Sequence, residues 1–457
     1  MSTENAMGVK PVFPLLIGMS LPPIISMLIQ SMYNVVDSIF LARLSQEALA
    51  AVSLIYPLQN MVLAVGVGFG IGINSCMSRS LGAKNEEETN SIAAHGVICS
   101  AVHSLIFVLV GLFLTKPFLR LFTQDEVVFE MGATYGYVVI CLAFGSLFHI
   151  FIEKIFQATG NMVVPMFLQI AGAVINIVLD PILIFGYFGF PAMGVLGAAI
   201  ATVLGQMTAC GLAVLLFIKQ KDGVRADFKH FHLDMGLVKK IYAVAIPSGM
   251  MTALPSVLVG VLNGILVGFS QTAVAVFGVY IKLQSFVYMP ANGVIQGMRP
   301  IVGYCYGAKK FDRIHETIRY SILTVGAIMI LGTILFMAAP GPIMLLFGAE
   351  GAMMEIGKAA LRILSIGFVI STVSLVYAGS FEAVGDGMGS LIVNLIRQFV
   401  IIPPLAFLLS KTVLGLHGVW ISFPIAEAIA LIVAIVMRKR KNELMEKMEK
   451  MERENKA

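Results

Sequence analysis

The sequence predicts an all-α integral membrane protein whose twelve transmembrane helices form two six-helix bundles, related by a pseudo-two-fold axis along the membrane normal. Two observations support this fold class: the apolar composition and an internal repeat. Of the 457 residues, 58% are hydrophobic and only 12% are charged, which is about half of the roughly 25% charge found in soluble domains. A soluble fold of this length could not bury so much apolar surface.

Long apolar runs recur along the whole chain. About twenty apolar residues are needed to cross about 30 Å of hydrocarbon. The runs are continuous rather than alternating, which favours helices over the strands of a barrel. The predicted spans are 14–42, 48–78, 91–114, 130–158, 163–186, 194–218, 238–269, 273–304, 316–338, 356–382, 390–410 and 418–437.

The internal repeat has an offset of 225 residues. SQEALAAVSLIYPLQNM begins at Ser45 and aligns with SQTAVAVFGVYIKLQSF, which begins at Ser270. The same offset aligns two further pairs of segments: Gly82-Ala83-Lys84 with Gly307-Ala308-Lys309, and QATGN at Gln157 with EAVGD at Glu382. One register over so many polar and glycine positions indicates duplication. With six spans per half, both copies enter the membrane in the same direction, and a cleft between them is a natural place for a substrate.

The charges predict the domain boundaries and the orientation. The formal net charge is +5, but the basic residues lie at the ends of apolar runs, where they set orientation, so no nucleic-acid partner is expected. The longest basic interruption predicts a cytoplasmic linker at 219–240, between an N-terminal lobe at 1–218 and a C-terminal lobe at 241–437. A charged cytoplasmic tail follows at 438–457. We expect a monomer in the bilayer of the cell (plasma) membrane, with both termini cytoplasmic.

Buried carboxylates are the most informative residues, because a charge at the bilayer centre costs at least about 2.5–3.5 kcal/mol. The first half has Asp37 in span one, Glu153 in span four and Asp180 in span five, together with the amide of Asn176. Asn176 and Asp180 lie one turn apart on the same helix face. We interpret the four residues as a cation-coupling group. Its oxygens suit either a shared proton or Na⁺, the latter at Asp37, Asn176 and Asp180. A structural alternative is that the acids only hydrogen-bond to neighbouring helices.

The second half lacks this group. At the repeat offset its four members are replaced by Leu262, Ala378, Ile401 and Leu405. Ion coupling is therefore predicted to belong to the N-terminal lobe. Near the cytoplasmic end of span ten, Glu382 and Asp386 align with Gln157 and Asn161, and we interpret these four as loop-capping or gating groups.

Residues around Asp37 predict mobility and a cavity. Pro22, Pro23 and Pro181 are predicted hinges, because proline removes a helical hydrogen bond. The predicted substrate cavity for small organic cations consists of Met27, Gln30, Tyr33 and Asn34.

These motifs resemble the multidrug and toxic compound extrusion (MATE) family. The resemblance spans about residues 14–437 and is carried by LPPIISMLIQSMYNVVDSIFLARL, LGAKN, QATGN, NIVLDPILI, GYCYGAKKFDR and EAVGDG. It implies a V-shaped pair of six-helix bundles, drug/Na⁺ or drug/H⁺ antiport, and cation handling by Asp37, Asn176 and Asp180. Span seven has no acidic residue, which favours the DinF-like or MepA-like branch over the NorM-like branch.

The predicted function is a secondary active multidrug efflux transporter that exports organic cations by alternating access. It would need no cofactor beyond Na⁺ or H⁺ as the coupling ion. The alternative is a flippase for lipid or lipid-linked oligosaccharide, which would require several cationic residues in the cavity. The interiors of the spans, away from their ends, contain few: Lys154, Lys282 and Arg397. An enzyme is not expected, because neither a phosphate loop nor HExxH nor a catalytic triad is visible.

Overall fold

The structure is a computed structural model that describes residues 5–220, 223–226, 228 and 231–456, with the side chains of 444–456 excluded. The remaining positions of the predicted linker and the last residue of the predicted tail lie outside the described residues. Within the described residues, the linker ends early, because a helix already begins at Met235.

All the regular elements in the described part of the chain are helices. The helices, in chain order, are α1 (Ala6–Val9), α2 (Val12–Leu44), α3 (Gln46–Gly82), α4 (Glu86–Arg120), α5 (Glu126–Cys141), α6 (Phe144–Ala158), α7 (Val163–Phe185), α8 (Val195–Lys219), α9 (Met235–Val267), α10 (Gln271–Gly307), α11 (Phe311–Ala338), α12 (Pro340–Leu345), α13 (Gly351–Ala383), α14 (Gly387–Leu395), α15 (Ile402–Ser410) and α16 (Gly415–Lys456). A short 3₁₀ turn follows α7 at Tyr187–Gly189, and a π-helical turn at Ile396–Ile401 joins α14 to α15.

The twelve predicted spans are confirmed, with one difference in shape. Eleven helical segments among the described residues are long and apolar enough to cross a membrane, α14 and α15 counting as one. The twelfth span is the pair α5 and α6, which bends by 41° at a short break. The helix ends at Cys141 and restarts at Phe144, so the span predicted at 130–158 is broken rather than continuous.

The helices pack as two compact units. The N-terminal unit is Ile25–Gly249, and the C-terminal unit is Met1–Ile24 together with Met250–Ala457. These boundaries differ from the predicted lobes, because α2 and α9 each belong partly to both units. The position of these two helices in the sequence therefore does not determine which unit each part of them packs against.

Close backbone packing explains how the first part of α9 joins the N-terminal unit. A Cβ added at Gly68 of α3 would lie 2.5 Å from the backbone nitrogen of Gly249, and one added at Gly72 would lie 2.6 Å from the carbonyl oxygen of Ile241. Only glycine permits such an approach without displacing one of the helices.

The same contact recurs in the C-terminal unit, between α10 and the first part of α2. A Cβ at Gly293 would collide with Ile24, and one at Gly297 would lie 2.7 Å from the Ser20 hydroxyl. Gly293 and Gly297 follow Gly68 and Gly72 at the repeat offset of 225 residues. The repeat thus specifies a helix crossing in each unit, and not only the order of the spans.

Candidate cation-coupling site

Asp37 lies on α2, well inside an apolar span. Its carboxylate has few hydrogen-bond partners in the protein. Its Oδ1 atom is buried and has no hydrogen-bond partner among the described residues. Asp37 lies within electrostatic range of Asp180 on α7. The structure therefore brings together two acids that are 143 positions apart in the sequence.

Asn176 and Asp180 occupy one face of α7, as their spacing predicts. Asp180 is fully buried and Asn176 nearly so. The Asn176 amide donates a long hydrogen bond of 3.4 Å to Asp180 Oδ1, and its second contact is 3.5 Å to the Thr202 hydroxyl on α8. Pro181 lies inside α7 without ending the helix. Because it lacks an N–H group, it leaves the carbonyl of Ile177 without its helical donor.

A second layer of polar side chains supports these residues, and sequence reasoning missed it. Tyr135 on α5 is buried, and its hydroxyl accepts a hydrogen bond from Gln59 Nε2 on α3 at 3.4 Å. The same hydroxyl interacts with Thr202, and it also lies within electrostatic range of Asp37. The available signal was a tyrosine, a glutamine and a threonine within apolar spans, but such residues are common in membrane helices.

The chemistry of this cluster is that of an incomplete oxygen shell. Three buried oxygens have no hydrogen-bond partner among the described residues, namely Asp37 Oδ1, Asn176 Oδ1 and Asp180 Oδ2. Unpaired carboxylates in a membrane interior are costly, so they favour a bound cation or proton. Hard cations take carboxylate and amide oxygens as ligands. No group of three or more His, Cys, Asp or Glu side chains suited to a resident metal occurs among the described residues.

The predicted cavity residues have different environments. Tyr33 lies one turn before Asp37, is half-buried, and is within electrostatic range of both acids. Gln30 accepts a 2.9 Å hydrogen bond from Gln169 of α7, whereas Asn34 is exposed. Met27 is half-buried on the same helix. Of these four side chains, Tyr33 is the one that the structure places beside the carboxylates.

Glu153 belongs to a separate cluster on α6. Its Oε1 atom accepts hydrogen bonds from Lys154 Nζ at 2.9 Å and from Gln157 Nε2 at 2.7 Å. Lys154 Nζ also donates to Gln157 Oε1 at 2.9 Å, and the Lys154 carbonyl accepts from Asn74 of α3. The charge of Glu153 is therefore balanced by a neighbouring lysine. The structure does not bring it together with Asp37 and Asp180.

The remaining predicted gating residues are caps and ion pairs. Asn161 accepts hydrogen bonds from the first amides of α7, and Asp386 accepts one from Gly389 at the start of α14. Asp386 also pairs with Lys441 at 2.8 Å. Glu382 is buried and pairs with Arg299 at 2.6 Å. Capping is the role that the geometry gives to Asn161 and Asp386.

The predicted hinge prolines lie beside a unit boundary. Pro22 and Pro23 are buried inside α2, which remains one continuous helix. The boundary between the two units falls between Ile24 and Ile25, directly after them. The prolines thus lie where α2 passes from one packing environment to another.

The C-terminal unit contains a largely buried pair of ionisable side chains that the alignment of the two halves does not reveal. Glu427 of α16 is 7% exposed, and its Oε1 atom lies 3.7 Å from Arg397 Nη1. Arg397 lies in the π-helical turn and donates to the Asn394 side chain at 3.3 Å. At the repeat offset Glu427 aligns with Thr202, not with any acid of the first half. A search for copies of Asp37 and Asp180 therefore does not find it.

Fold and site together define a twelve-span membrane transporter with two carboxylates, Asp37 and Asp180, inside its spans. A family model described as MatE matches residues 22–182 and 247–408, more than half of the chain. The chain belongs to this family, whose members are transporters and not enzymes, and the predicted resemblance is confirmed.

Curated relatives agree with this assignment. The multidrug export protein MepA of Staphylococcus aureus (strain MRSA252) is 26% identical over 429 residues, covering 94% of each chain. MepA of Staphylococcus saprophyticus is 25% identical over 428 residues and 93% of each chain.

Solved structures extend the likeness to the whole fold. A MATE transporter crystallised in complex with MaL6 has a TM-score of 0.90 at 26% identity, covering 98% of this chain and all of that one. A MOP superfamily transporter from Pyrococcus furiosus has the same TM-score at 25% identity, with coverage of 98% and 99%. That transporter is described as having a binding pocket of reverse polarity, which suggests a different function. The charge of the cargo must therefore be argued from each chain's own residues.

Proposed function

We propose that this protein is a secondary active multidrug efflux transporter that exports organic cations in exchange for Na⁺ or H⁺. The single observation that carries the proposal is the pair Asp37 and Asp180, in which the buried atoms Asp37 Oδ1 and Asp180 Oδ2 have no hydrogen-bond partner among the described residues. The export function of the MepA relatives supports the same conclusion.

The charge balance of the spans favours a cationic cargo. The lysine and arginine that could attract an anion inside the membrane each face an acid: Lys154 contacts Glu153, and Arg397 lies near Glu427. Lys282 is exposed. Asp37 and Asp180, by contrast, form no ion pair with a basic side chain among the described residues. A flippase for pyrophosphate-linked lipids would need the opposite arrangement, so we place it second.

Exchange follows from competition for the same negative charge. Two carboxylates close together repel each other in a low-dielectric interior, and binding of Na⁺ or H⁺ relieves that repulsion. An organic cation near Tyr33 gains most when the carboxylates are free of the coupling ion. Occupancy by one cation then disfavours the other, which is the thermodynamic requirement for antiport.

Alternating access requires a helix that responds to the state of Asp37. We propose that α2 is this helix, since it carries Asp37 in the N-terminal unit and crosses the unit boundary just after Pro22 and Pro23. Prolines within a membrane helix remove backbone hydrogen bonds and permit bending. We further propose a monomer in the plasma membrane with both termini cytoplasmic, on the basis of the basic loops.

Dye efflux tests the proposal directly. Cells that express the wild type should accumulate less ethidium than cells without it, and Asp37→Asn should abolish the difference at equal protein level. Glu153→Gln is the matched control. It should lower stability, because it leaves the buried Lys154 without its acid, but at equal protein level it should retain efflux, because Glu153 lies in a separate cluster from Asp37 and Asp180. Unchanged ethidium accumulation on wild-type expression would refute export, and full activity of Asp37→Asn would refute the role of that residue.

The coupling ion is identified in vesicles. An Na⁺ gradient and a pH gradient are imposed separately on vesicles that contain the reconstituted protein. At least one of the two gradients should drive dye movement in the absence of the other. Failure of both gradients to drive transport by active wild-type protein would rule out the proposed antiport.

A further inference from the structure

A cavity of about 240 Å³ lies in the C-terminal unit, between the first turns of the candidate span α11 and the end of the apolar part of α16. Its polar wall includes His315, Arg319, Tyr377, Arg438 and Asn442. None of the residues that line it is acidic. The cavity is therefore a concentration of positive charge and hydrogen-bond donors, distinct from the carboxylate site of the N-terminal unit.

Arg438 is the residue that requires an explanation. Its side chain is only 4% exposed, yet neither Nη1 nor Nη2 has a hydrogen-bond partner among the described residues. Burying a guanidinium without a counter-ion costs several kcal/mol. Lys441, less than one turn further along α16, forms an ion pair in which its Nζ atom lies 2.8 Å from Asp386 Oδ2. The chain thus supplies an anion for the lysine but, within its described part, none for the arginine.

We propose that this cavity binds a phosphate group, with Arg438 as its principal ligand. The planar guanidinium presents paired N–H donors that match two phosphate oxygens. Arg319 adds a second positive charge, and the Asn442 amide can donate a further hydrogen bond. A phosphate in the cavity would satisfy both Nη atoms that the protein leaves without partners.

The position of the cavity favours the phosphate of an anionic lipid over a soluble ester. One wall is apolar, formed by Ile318, Ile322 and Leu323 on successive turns of the α11 span. Leu323 is 58% exposed although it lies in a membrane helix, as expected for a residue in contact with acyl chains. Basic pockets at the ends of membrane helices are suited to anionic headgroups.

Native mass spectrometry of the purified full-length chain tests the proposal. The probes are phosphatidylglycerol, diacylglycerol with the same acyl chains, and glycerol 3-phosphate. Arg438→Gln is compared with Arg440→Gln, which removes the same charge from an exposed position of the same helix. We expect wild type and Arg440→Gln to bind phosphatidylglycerol equally. Arg438→Gln should bind about tenfold more weakly, the effect of losing one charged hydrogen bond.

The outcomes separate the phosphate from its source. Phosphatidylglycerol binding that exceeds binding of both other probes supports a lipid headgroup site. Equal binding of glycerol 3-phosphate supports the phosphate site and assigns it to a soluble ester. Equal binding of diacylglycerol, or equal affinity of Arg438→Gln and Arg440→Gln, overturns the proposal. If Arg438→Gln does not fold, Arg319→Gln carries the test, because Arg319 is exposed and its replacement leaves the core intact.

Discussion

The N-terminal and C-terminal units share a backbone but differ in their buried charge. Lys84 and Lys309, at equivalent positions after α3 and α10, both adopt a φ of 57°. Gly160 and Gly385, which also correspond, have φ values of 90° and 92°. Such left-handed conformations are unfavourable for lysine, so their recurrence shows that duplication preserved even strained turns.

The charges follow a different rule. In the N-terminal unit, Asp37 and Asp180 lie within electrostatic range of each other. Among the described residues, no basic side chain pairs with either acid. In the C-terminal unit, Glu427 faces Arg397. The positions that align with these two residues are Thr202 and Gly172. The N-terminal unit thus has two acids without a basic partner among the described residues, besides the paired Glu153 and Lys154, whereas the acid of the C-terminal unit, Glu427, lies 3.7 Å from Arg397. Backbone contacts tolerate little change, whereas side chains at equivalent depths can diverge in function.

The strongest test of this comparison is Asp180→Asn. We expect dye efflux to fall to the level of cells without the protein, because the coupling ion loses one of its two carboxylates. Thermal unfolding should change little, since Asp180 Oδ2 has no hydrogen bond to lose within the described structure. Efflux assays at matched expression measure the effect. Activity near the wild-type level would show that the acids of the N-terminal unit are structural.

The compensated pair predicts a loss of stability. Glu427→Gln leaves the largely buried side chain of Arg397, which is 11% exposed, without its acid and should destabilise the protein by about 3–5 kcal/mol. The double variant Glu427→Gln with Arg397→Gln should recover most of that loss, because no charge remains buried. Thermal unfolding in detergent distinguishes the two. A double variant as unstable as the single one would contradict the pairing.

The helix crossings should be equally sensitive in both units. Gly68→Ala and Gly293→Ala each place a Cβ against a packed helix and should each cost about 1–3 kcal/mol. Gly260→Ala is the control, since a Cβ there meets no atom within 4 Å, and it should be neutral or slightly stabilising. Unfolding temperatures of the three variants provide the measurement. Loss at only one crossing would break the equivalence of the units.

The smallest expected effects come from two matched helix caps. Ser45 Oγ accepts from the amide of Ala48 at 3.0 Å, and Ser270 Oγ accepts from Ala273 at 3.1 Å. Replacement of either serine by alanine should cost about 1 kcal/mol, the usual value of a cap. Clearly unequal losses in the unfolding midpoint would show that the two units differ in local stability as well as in charge.

Much of the fold could be predicted because membrane helices are recognisable from their local sequence. Each span satisfies its own backbone hydrogen bonds, so length and apolarity suffice to find it. The bend between Cys141 and Phe144 was not predictable, since neither proline nor glycine occupies the break. Within the site, the spacing of Asn176 and Asp180 predicted a shared face correctly, because that relation depends on one helix alone.

Relations between helices needed the tertiary structure. Glu153 and Asp37 are both acids in apolar spans, and only packing reveals that Glu153 is balanced by Lys154 whereas the described structure pairs no cation with Asp37. Tyr135 and Thr202 are unremarkable in sequence and lie near the candidate site only because α8 packs against both α7 and α5. From the sequence, Arg438 is only the first residue of the charged tail predicted at 438–457. The structure shows that it is buried.

The sequence by itself determined the number of spans, the internal repeat and the family, and it identified Asp37, Asn176 and Asp180 as candidate site residues, because all of these depend on local patterns or on one constant register. The tertiary structure decided which buried charges are compensated and where α2 and α9 change from one unit to the other. Those properties depend on distances between helices that are remote in the chain, and hydropathy along a single helix carries no information about them.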